Sequence, residues 1–285
     1  MSALDAPHRH AVAHALSALP HQVDPLACID PAVRLPPDVV IKRGAYLPAG
    51  LVLEDGCYIG PNVAFADGAP TVVRKGVRIG ANATVQAGIT IAARAVVRPG
   101  AVVLRSVPPG AIVEGNPAAI VGYVDAARDP ACALQSAMSP RGPKVEATPV
   151  RGVTLHHFPV IPDPRGKLSV GEFERQIPFT PSRYFIVYGV PSREVRGEHA
   201  HHRCQQFLIC LRGSCAVVAD DGVHKTEVLL DAPHLGLYLP AMTWGIQYQY
   251  SPDAMLMVFA SHRYDAADYI REYDEFLAIG KAVAA

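Results

Sequence analysis

The sequence predicts an all-β protein in two halves, a parallel β-helix followed by a β-sandwich or jelly roll. Three observations lead there. A sixfold apolar period runs through the first half, short β-rich segments separated by turns fill the second, and the stretch between them keeps neither pattern. The expected organisation is an N-terminal tail at 1–21, a β-helix at 22–125, a linker at 126–150 and the sandwich at 151–285.

The tail carries His8, His10, His14 and His21. From Ile29 an aliphatic or phenyl side chain recurs every six positions, at Leu35, Ile41, Leu47, Leu53, Ile59 and Phe65. After a two-residue insertion near 67–70 the phase resumes at Val73, Ile79, Val85, Ile91, Val97 and Val103. A second small or apolar residue keeps its own phase, as at Val39, Ala45, Cys57, Val63, Ala83 and Ala95. A period of six suits neither a helix nor a lone strand. It marks a solenoid in which each hexapeptide turns one large side chain inward. Three hexapeptides close a triangular coil, so about four coils are expected.

From 126 to 150 the period is lost, and Arg128-Asp129-Pro130 and Met138-Ser139-Pro140 read as linker. Strands are then expected at 184–188, 206–211, 214–218, 226–230, 235–239 and 255–259, with turns at Arg212-Gly213, Asp220-Asp221-Gly222 and Ser251-Pro252-Asp253. His156 and His157 belong to a strand leading in. Regular strand spacing without helices between argues the sandwich. Residues 266–276, with Tyr269, Tyr273 and Phe276, read as a short helix or extended tail.

The 285 residues are half hydrophobic, with 26 basic against 26 acidic side chains. No basic block points to nucleic acid or an anionic surface, and no apolar run is long enough to span a bilayer. The six cysteines show no paired framework, which reads as reduced thiols in a cytoplasmic protein. No signal pattern opens the chain.

The chemistry concentrates in Arg196-Gly197-Glu198-His199-Ala200-His201. Residues two apart on a strand share a face, so two imidazoles stand together, each able to exchange a proton near neutrality. The spacing onward to Gln206 and Gly213 is that of the first cupin metal motif, with an amide where the carboxylate ligand belongs. Trp244-Gly245-Ile246-Gln247 stands where another histidine is usual. Acid–base chemistry is therefore favoured over metal chemistry, and no metal is expected.

With these motifs, Leu211-Arg212-Gly213-Ser214-Cys215, Gly236-Leu237-Tyr238 and Tyr264 through Asp274 make residues 152–278 resemble the cupin-type dTDP-4-keto-6-deoxyglucose 3,4-ketoisomerases. The resemblance implies a dTDP-linked 6-deoxy keto sugar as substrate, an enediol intermediate and no cofactor. It implies His201 as the base at C3 and His199 as its partner in proton delivery. Candidate donors to the developing oxyanion are Tyr188, Gln206 and Tyr238. Arg196 is the candidate for the diphosphate, and Trp244 stands equally as pocket wall or core. Gly245 replaces an imidazole of the family pattern, and His202, His234 or Gln247 are the side chains available to stand in.

The hexapeptides and their closing segment, Val107 to Ala118, resemble left-handed β-helix acyltransferases over residues 22–125. That implies trimers binding acetyl-coenzyme A between subunits, with Gly115, Asn116, Pro117 and Ala118 along the groove. Arg98 and Arg105 are phosphate partners on charge grounds. No histidine lies between His21 and His156 to serve as base, leaving Glu54, Asp55 or Glu114. A working transferase and a trimerisation scaffold both stand open. The order of the halves is similar to bifunctional ketoisomerase/N-acetyltransferases that make 3-acetamido-3,6-dideoxyhexoses for surface polysaccharides. β-Helix trimers and cupin dimers would combine into a homohexamer. The competing readings are a metal-dependent cupin oxygenase and a sugar-binding scaffold without turnover.

Overall fold

The computed structural model describes residues 22–128, 143–191 and 193–284. The expected tail with its four histidines, and most of the expected linker with Cys132, lie outside the described residues. Two compact units divide the chain, the first ending at Ala118 and the second beginning at Ala119.

The first unit is a parallel β-helix. Two-residue strands recur from Gln22–Val23 to Val102–Val103. Val40 pairs with Tyr58 and Arg78 with Val96, each one coil of three hexapeptides further on. Across the insertion Tyr58 pairs with Arg78 and Val52 with Val72, two residues further. The inward residues from Ile41 to Val103 are buried, as are the small corner residues Ala45, Ala83, Ala95 and Ala101. Leu35 departs from the pattern. It is half-buried and lies in no strand, because Pro36 and Pro37 have no N–H for the ladder.

The second unit is the expected sandwich. Its main strands are β1 (Arg183–Tyr188), β2 (Arg196–His201), β3 (Gln206–Arg212), β4 (Cys215–Asp220), β5 (Lys225–Leu230), β6 (Leu235–Leu239), β7 (Trp244–Tyr248), β8 (Met255–Ala260) and β9 (Tyr269–Ile270). One sheet runs Ala126–Arg128, β5, β4, β7, β2, β9; the other runs Lys144–Ala147, Thr154–His157, β6, β3, β8, β1. Between them Leu208, Cys210, Cys215, Val217, Leu237, Leu256 and Val258 form the core. The second sheet's outer face carries Phe158, Ile177, Phe179, Phe207 and Ile209.

Two expectations need correction. The linker at 126–150 is structured at both described ends: Ala126–Arg128 pairs in parallel with β5, and Lys144–Ala147 pairs antiparallel with Thr154–His157. Three or four residues added to a sheet edge need no visible period, because the neighbouring strand supplies the order. The segment 266–276 is a 3₁₀ turn at Ala266–Asp268, then β9, then helix α1 (Tyr273–Ala284). Trp244 packs on the start of that helix, its ring centroid 5.2 Å from Tyr273 and 5.7 Å from Phe276. Cys57, Cys204, Cys210 and Cys215 are buried free thiols, and Cys28 is exposed. Among the described residues no helix is long and apolar enough to cross a membrane.

Candidate active site

A bulge in β2 sets the site. Arg196 stands opposite Gln247 and Gly197 opposite Ile246, but the register then shifts and His199 faces Gly245. Gly197 has φ +81° and Glu198 φ +54°, both left-handed. A Cβ at position 197 would lie 2.5 Å from the Gly245 carbonyl oxygen, so only glycine lets the two strands approach here. Beyond the bulge His199 and His201 both point into the sandwich. Their ring centroids are 5.0 Å apart at 87°. With Cys204, Gln206, Leu239, Pro240, Thr243, Gly245 and Gln247 they line a narrow cleft of about 10 Å³.

Each imidazole is held through Nδ1. His199 Nδ1 donates to the Gly197 carbonyl at 2.9 Å. His201 Nδ1 donates to Asp268 Oδ2 at 3.0 Å, and its Nε2 accepts from the Gln206 amide at 3.1 Å. These partners set the tautomer, with the proton on Nδ1 and the lone pair on Nε2. Asp268 is itself fixed by the N–H groups of Arg203 at 2.9 Å and Cys204 at 3.1 Å. Tyr269, from β9, rests its ring 4.3 Å from His201 and 4.9 Å from His199.

Burial disfavours charge on both rings. It lowers the His201 pKa to about 4, helped by neighbouring His199 and opposed by Asp268. The 3.0 Å ion-pair geometry with Asp268 alone would suggest a raised value. For a ring only 5% exposed the loss of water outweighs one carboxylate, and the pKa falls. His199 is lowered too, by burial first and by the Arg271 charge. Burial resists ionisation of Asp268, yet the Cys204 and Arg203 N–H groups and His201 more than offset it, so its pKa falls below the usual range. The result is two neutral imidazoles beside an ionised carboxylate.

His199, His201, Gln206 and Gln247 come together along the cleft. Two other candidates are placed elsewhere and a third is decided between its two readings, each by strand alternation. Tyr238 is in register with Phe207, so it shares the outer face and gives its hydroxyl to Gln205 at 2.8 Å, away from Gln206. Tyr188 is 69% exposed, on the face of β1 opposite the core-packed Phe185 and Val187. Trp244 is buried against α1, on the side of β7 away from Gly245 and Gln247, and is core. Arg196 is exposed at the start of β2. His202 is exposed, and His234 lines the outer apolar groove with Phe158 and Ile209. Three residues at the site went unforeseen: Asp268, Tyr269 and Arg183, whose Nη2 lies 3.4 Å from the Tyr269 hydroxyl. The first two fall in the motif read as a terminal helix or tail.

His201, Cys204 and Asp268 are also a potential metal-binding group among the described residues. Both Asp268 oxygens already accept N–H bonds, and Gln206 offers an amide in place of a carboxylate. This donor set fits an internal hydrogen-bond network.

In the β-helix, Gly115 adopts φ +96° and the Asn116–Pro117 peptide is cis. Val102 is bonded from both sides of this turn: its N–H reaches the Gly115 carbonyl at 2.9 Å, and its carbonyl accepts Ala118 N–H at 2.8 Å. Arg98, Arg105, Gly115, Asn116 and Pro117 are exposed and Ala118 half-buried. Glu54 is committed elsewhere, to the Arg74 guanidinium at 2.6 Å and Lys75 N–H at 2.9 Å.

Fold and site together define a cupin built around an imidazole pair, carried behind a hexapeptide β-helix. The chain belongs to the WxcM-like family: the model described as FdtA, WxcM-like, C-terminal, matches residues 151–281. The bacterial transferase hexapeptide model (six repeats) matches residues 70–105. A curated relative, the TDP-4-oxo-6-deoxy-alpha-D-glucose-3,4-oxoisomerase of Aneurinibacillus thermoaerophilus, is 42% identical over 120 residues, 42% of this chain and 86% of the relative. Among solved structures, a 3,4-ketoisomerase from Helicobacter canadensis is 35% identical, covering 46% of this chain and 98% of its own at a TM-score of 0.44. The WlaRB TDP-quinovose 3,4-ketoisomerase from Campylobacter jejuni is 36% identical, covering 45% and 99% at a TM-score of 0.44.

Proposed function

We propose that the second unit is a sugar-nucleotide 3,4-ketoisomerase acting on dTDP-4-keto-6-deoxyglucose. The observation that carries this reading is the pair of neutral imidazoles, both with Nε2 as acceptor, one of them backed by a carboxylate. The curated relative at 42% identity supports the substrate class. His201 Nε2 takes the C3 proton, the C3–H electron pair becomes the C3=C4 bond, and the carbonyl pair moves onto O4. The Gln206 amide that caps Nε2 yields its place to C3 and is then free to donate to a sugar oxygen. Asp268 stabilises the imidazolium that forms. His199 carries the O3 proton to O4, and the proton held on His201 returns to C4 as the C3 carbonyl forms. Atoms and electrons balance without a redox cofactor. General acid–base catalysis of this kind supplies on the order of 10²–10⁴-fold. Arg196 is the proposed diphosphate partner.

The hexapeptide match favours a second activity in the first unit, acetyl transfer from acetyl-coenzyme A to a dTDP-3-amino-3,6-dideoxyhexose. Gly115 through Ala118, with Arg98 and Arg105, would hold the cofactor, which supplies the thioester. Trimeric β-helices and dimeric cupins, in a homohexamer, are the assembly this reading implies. For the isomerase, incubation with dTDP-4-keto-6-deoxyglucose in deuterated water, followed by NMR, is the direct test. A 3-keto product with deuterium at C4, or deuterium at C3 of recovered substrate, supports it; unchanged substrate without exchange removes it.

A further inference from the structure

Arg183 opens β1 on its inward face, half-buried beside the imidazole pair. Its guanidinium lies 5.5 Å from the Phe185 ring centroid and 5.4 Å from that of Tyr264. Nη2 approaches the Tyr269 hydroxyl at 3.4 Å, and the Tyr269 ring rests on both histidines. Aromatic walls hold the guanidinium plane in place without neutralising its charge. Among the described residues no ion pair forms to Arg183, and its buried Nε–H meets no acceptor. A buried N–H left unmatched is costly, and a rigid cation with an unmatched donor is suited to an anionic oxygen.

The proposed substrate offers two kinds of anionic oxygen, those of the diphosphate and one that appears on the sugar during reaction. We propose that Arg183 binds the sugar oxygen that becomes negative when C3 gives up its proton. Arg183 is joined to the imidazoles through one ring, that of Tyr269, which lies against both of them. Its positive charge is also felt at His201, where it adds to the effects of burial and His199. A donor preorganised toward an oxyanion contributes chiefly to kcat, because the charge it meets is absent from the ground state. The proposal rests on the isomerase reading.

The test uses the full chain with Arg183→Gln and Arg183→Lys, following turnover of dTDP-4-keto-6-deoxyglucose by NMR and TDP binding by calorimetry. The glutamine variant should lose about 100-fold or more in kcat while its TDP Kd stays within about threefold. The lysine variant keeps the charge without the fork and should recover about tenfold of that loss. It also supplies the reading should Arg183→Gln fold poorly. A tenfold weaker TDP affinity with kcat unchanged would make Arg183 a diphosphate ligand and overturn the proposal, as would no change in either. If the wild type itself shows no turnover, the isomerase reading fails first and takes this one with it.

Discussion

The two units bury their apolar side chains by different rules. In the β-helix each inward residue meets its counterpart one coil away, as Ile59 meets Ile79, so the same short distance repeats along the chain. In the sandwich the decisive contacts are distant: His201 meets Asp268, 67 residues on, and Arg183 meets Tyr269, 86 residues on. A repeat distributes its stability and declares itself in sequence. The candidate site is assembled where the pattern breaks, here at the β2 bulge and in a two-residue strand beyond the last long one. The comparison predicts that substitutions in the sandwich cleft remove chemistry and leave stability, while those in the coils do the reverse.

The largest effect belongs to His201→Asn. It should lower kcat for ketoisomerisation by on the order of 10²–10⁴-fold with TDP affinity within a few fold, since the base goes and the nucleotide contacts stay. His199→Asn should be less severe, with hydrogen exchange at C3 surviving in part. Near-wild-type turnover in both single variants would sink the proton-transfer assignment and with it the contrast between cleft and coil.

Ile79→Ala is the mirror experiment. This fully buried side chain sits in the middle of the stacked coils, and its truncation should destabilise the first unit by about 2–5 kcal/mol. Each unit has its own interior, so isomerase kcat should stay within about twofold. Calorimetric melting, read beside turnover, checks both halves of the statement. A parallel loss of kcat would mean that the units do not behave as separate cores.

What could be read from the sequence follows the same division. The solenoid was legible because its period is local; only Leu35, beside two prolines, kept the phase without the strand. His199, His201 and Gln206 were legible because they lie on one strand and the next. Tyr188 and Tyr238 were misplaced, and Trp244 was left between pocket and core, because a strand residue's face depends on parity and nothing local marks which parity faces the cleft. Asp268, Tyr269 and Arg183 were not legible as site residues, because only the closed sandwich brings β9 and the start of β1 to β2.

Asp268→Asn probes that long-range contact with a smaller expected change. An amide cannot fix the His201 tautomer as a carboxylate does, and losing the orienting partner of a working imidazole costs about 10–100-fold. The wild-type pH profile sharpens the test. Burial lowers His201 to about 4, so kcat/KM should stay level from neutrality downward and fall only on approach to that value. Removing the Asp268 charge, which opposes the lowering, should move this acid limb further down. A wild-type limb at the ordinary histidine value near 6.5 would contradict the buried, neutral assignment. Stability follows with a defined sign. Between about 4 and 6.5 the unfolded chain binds the proton that folded His201 refuses, so this group's contribution is intact above 6.5 and is lost as pH falls through the window.

The smallest signal is expected from the β-helix. Its coils hold no histidine, and Glu54 is bound to Arg74 and the Lys75 N–H, so neither offers a strong base. Acetyl transfer would then depend on a substrate amine that has already lost its proton. The rate with acetyl-coenzyme A and a dTDP-3-amino-3,6-dideoxyhexose should be low and climb through the ~8 region typical of weakly basic amines, with no plateau at neutrality. Glu54→Gln should change it by less than about twofold, since that carboxylate acts in coil packing. Glu114→Gln supplies the contrast, because Glu114 is exposed at the end of its strand, near the Gly115–Ala118 turn. A tenfold loss there, with the pH climb replaced by a plateau, would identify a protein base after all. No transfer at any pH, together with no coenzyme A binding by calorimetry, would leave the repeat as a scaffold and confine the chemistry to the sandwich.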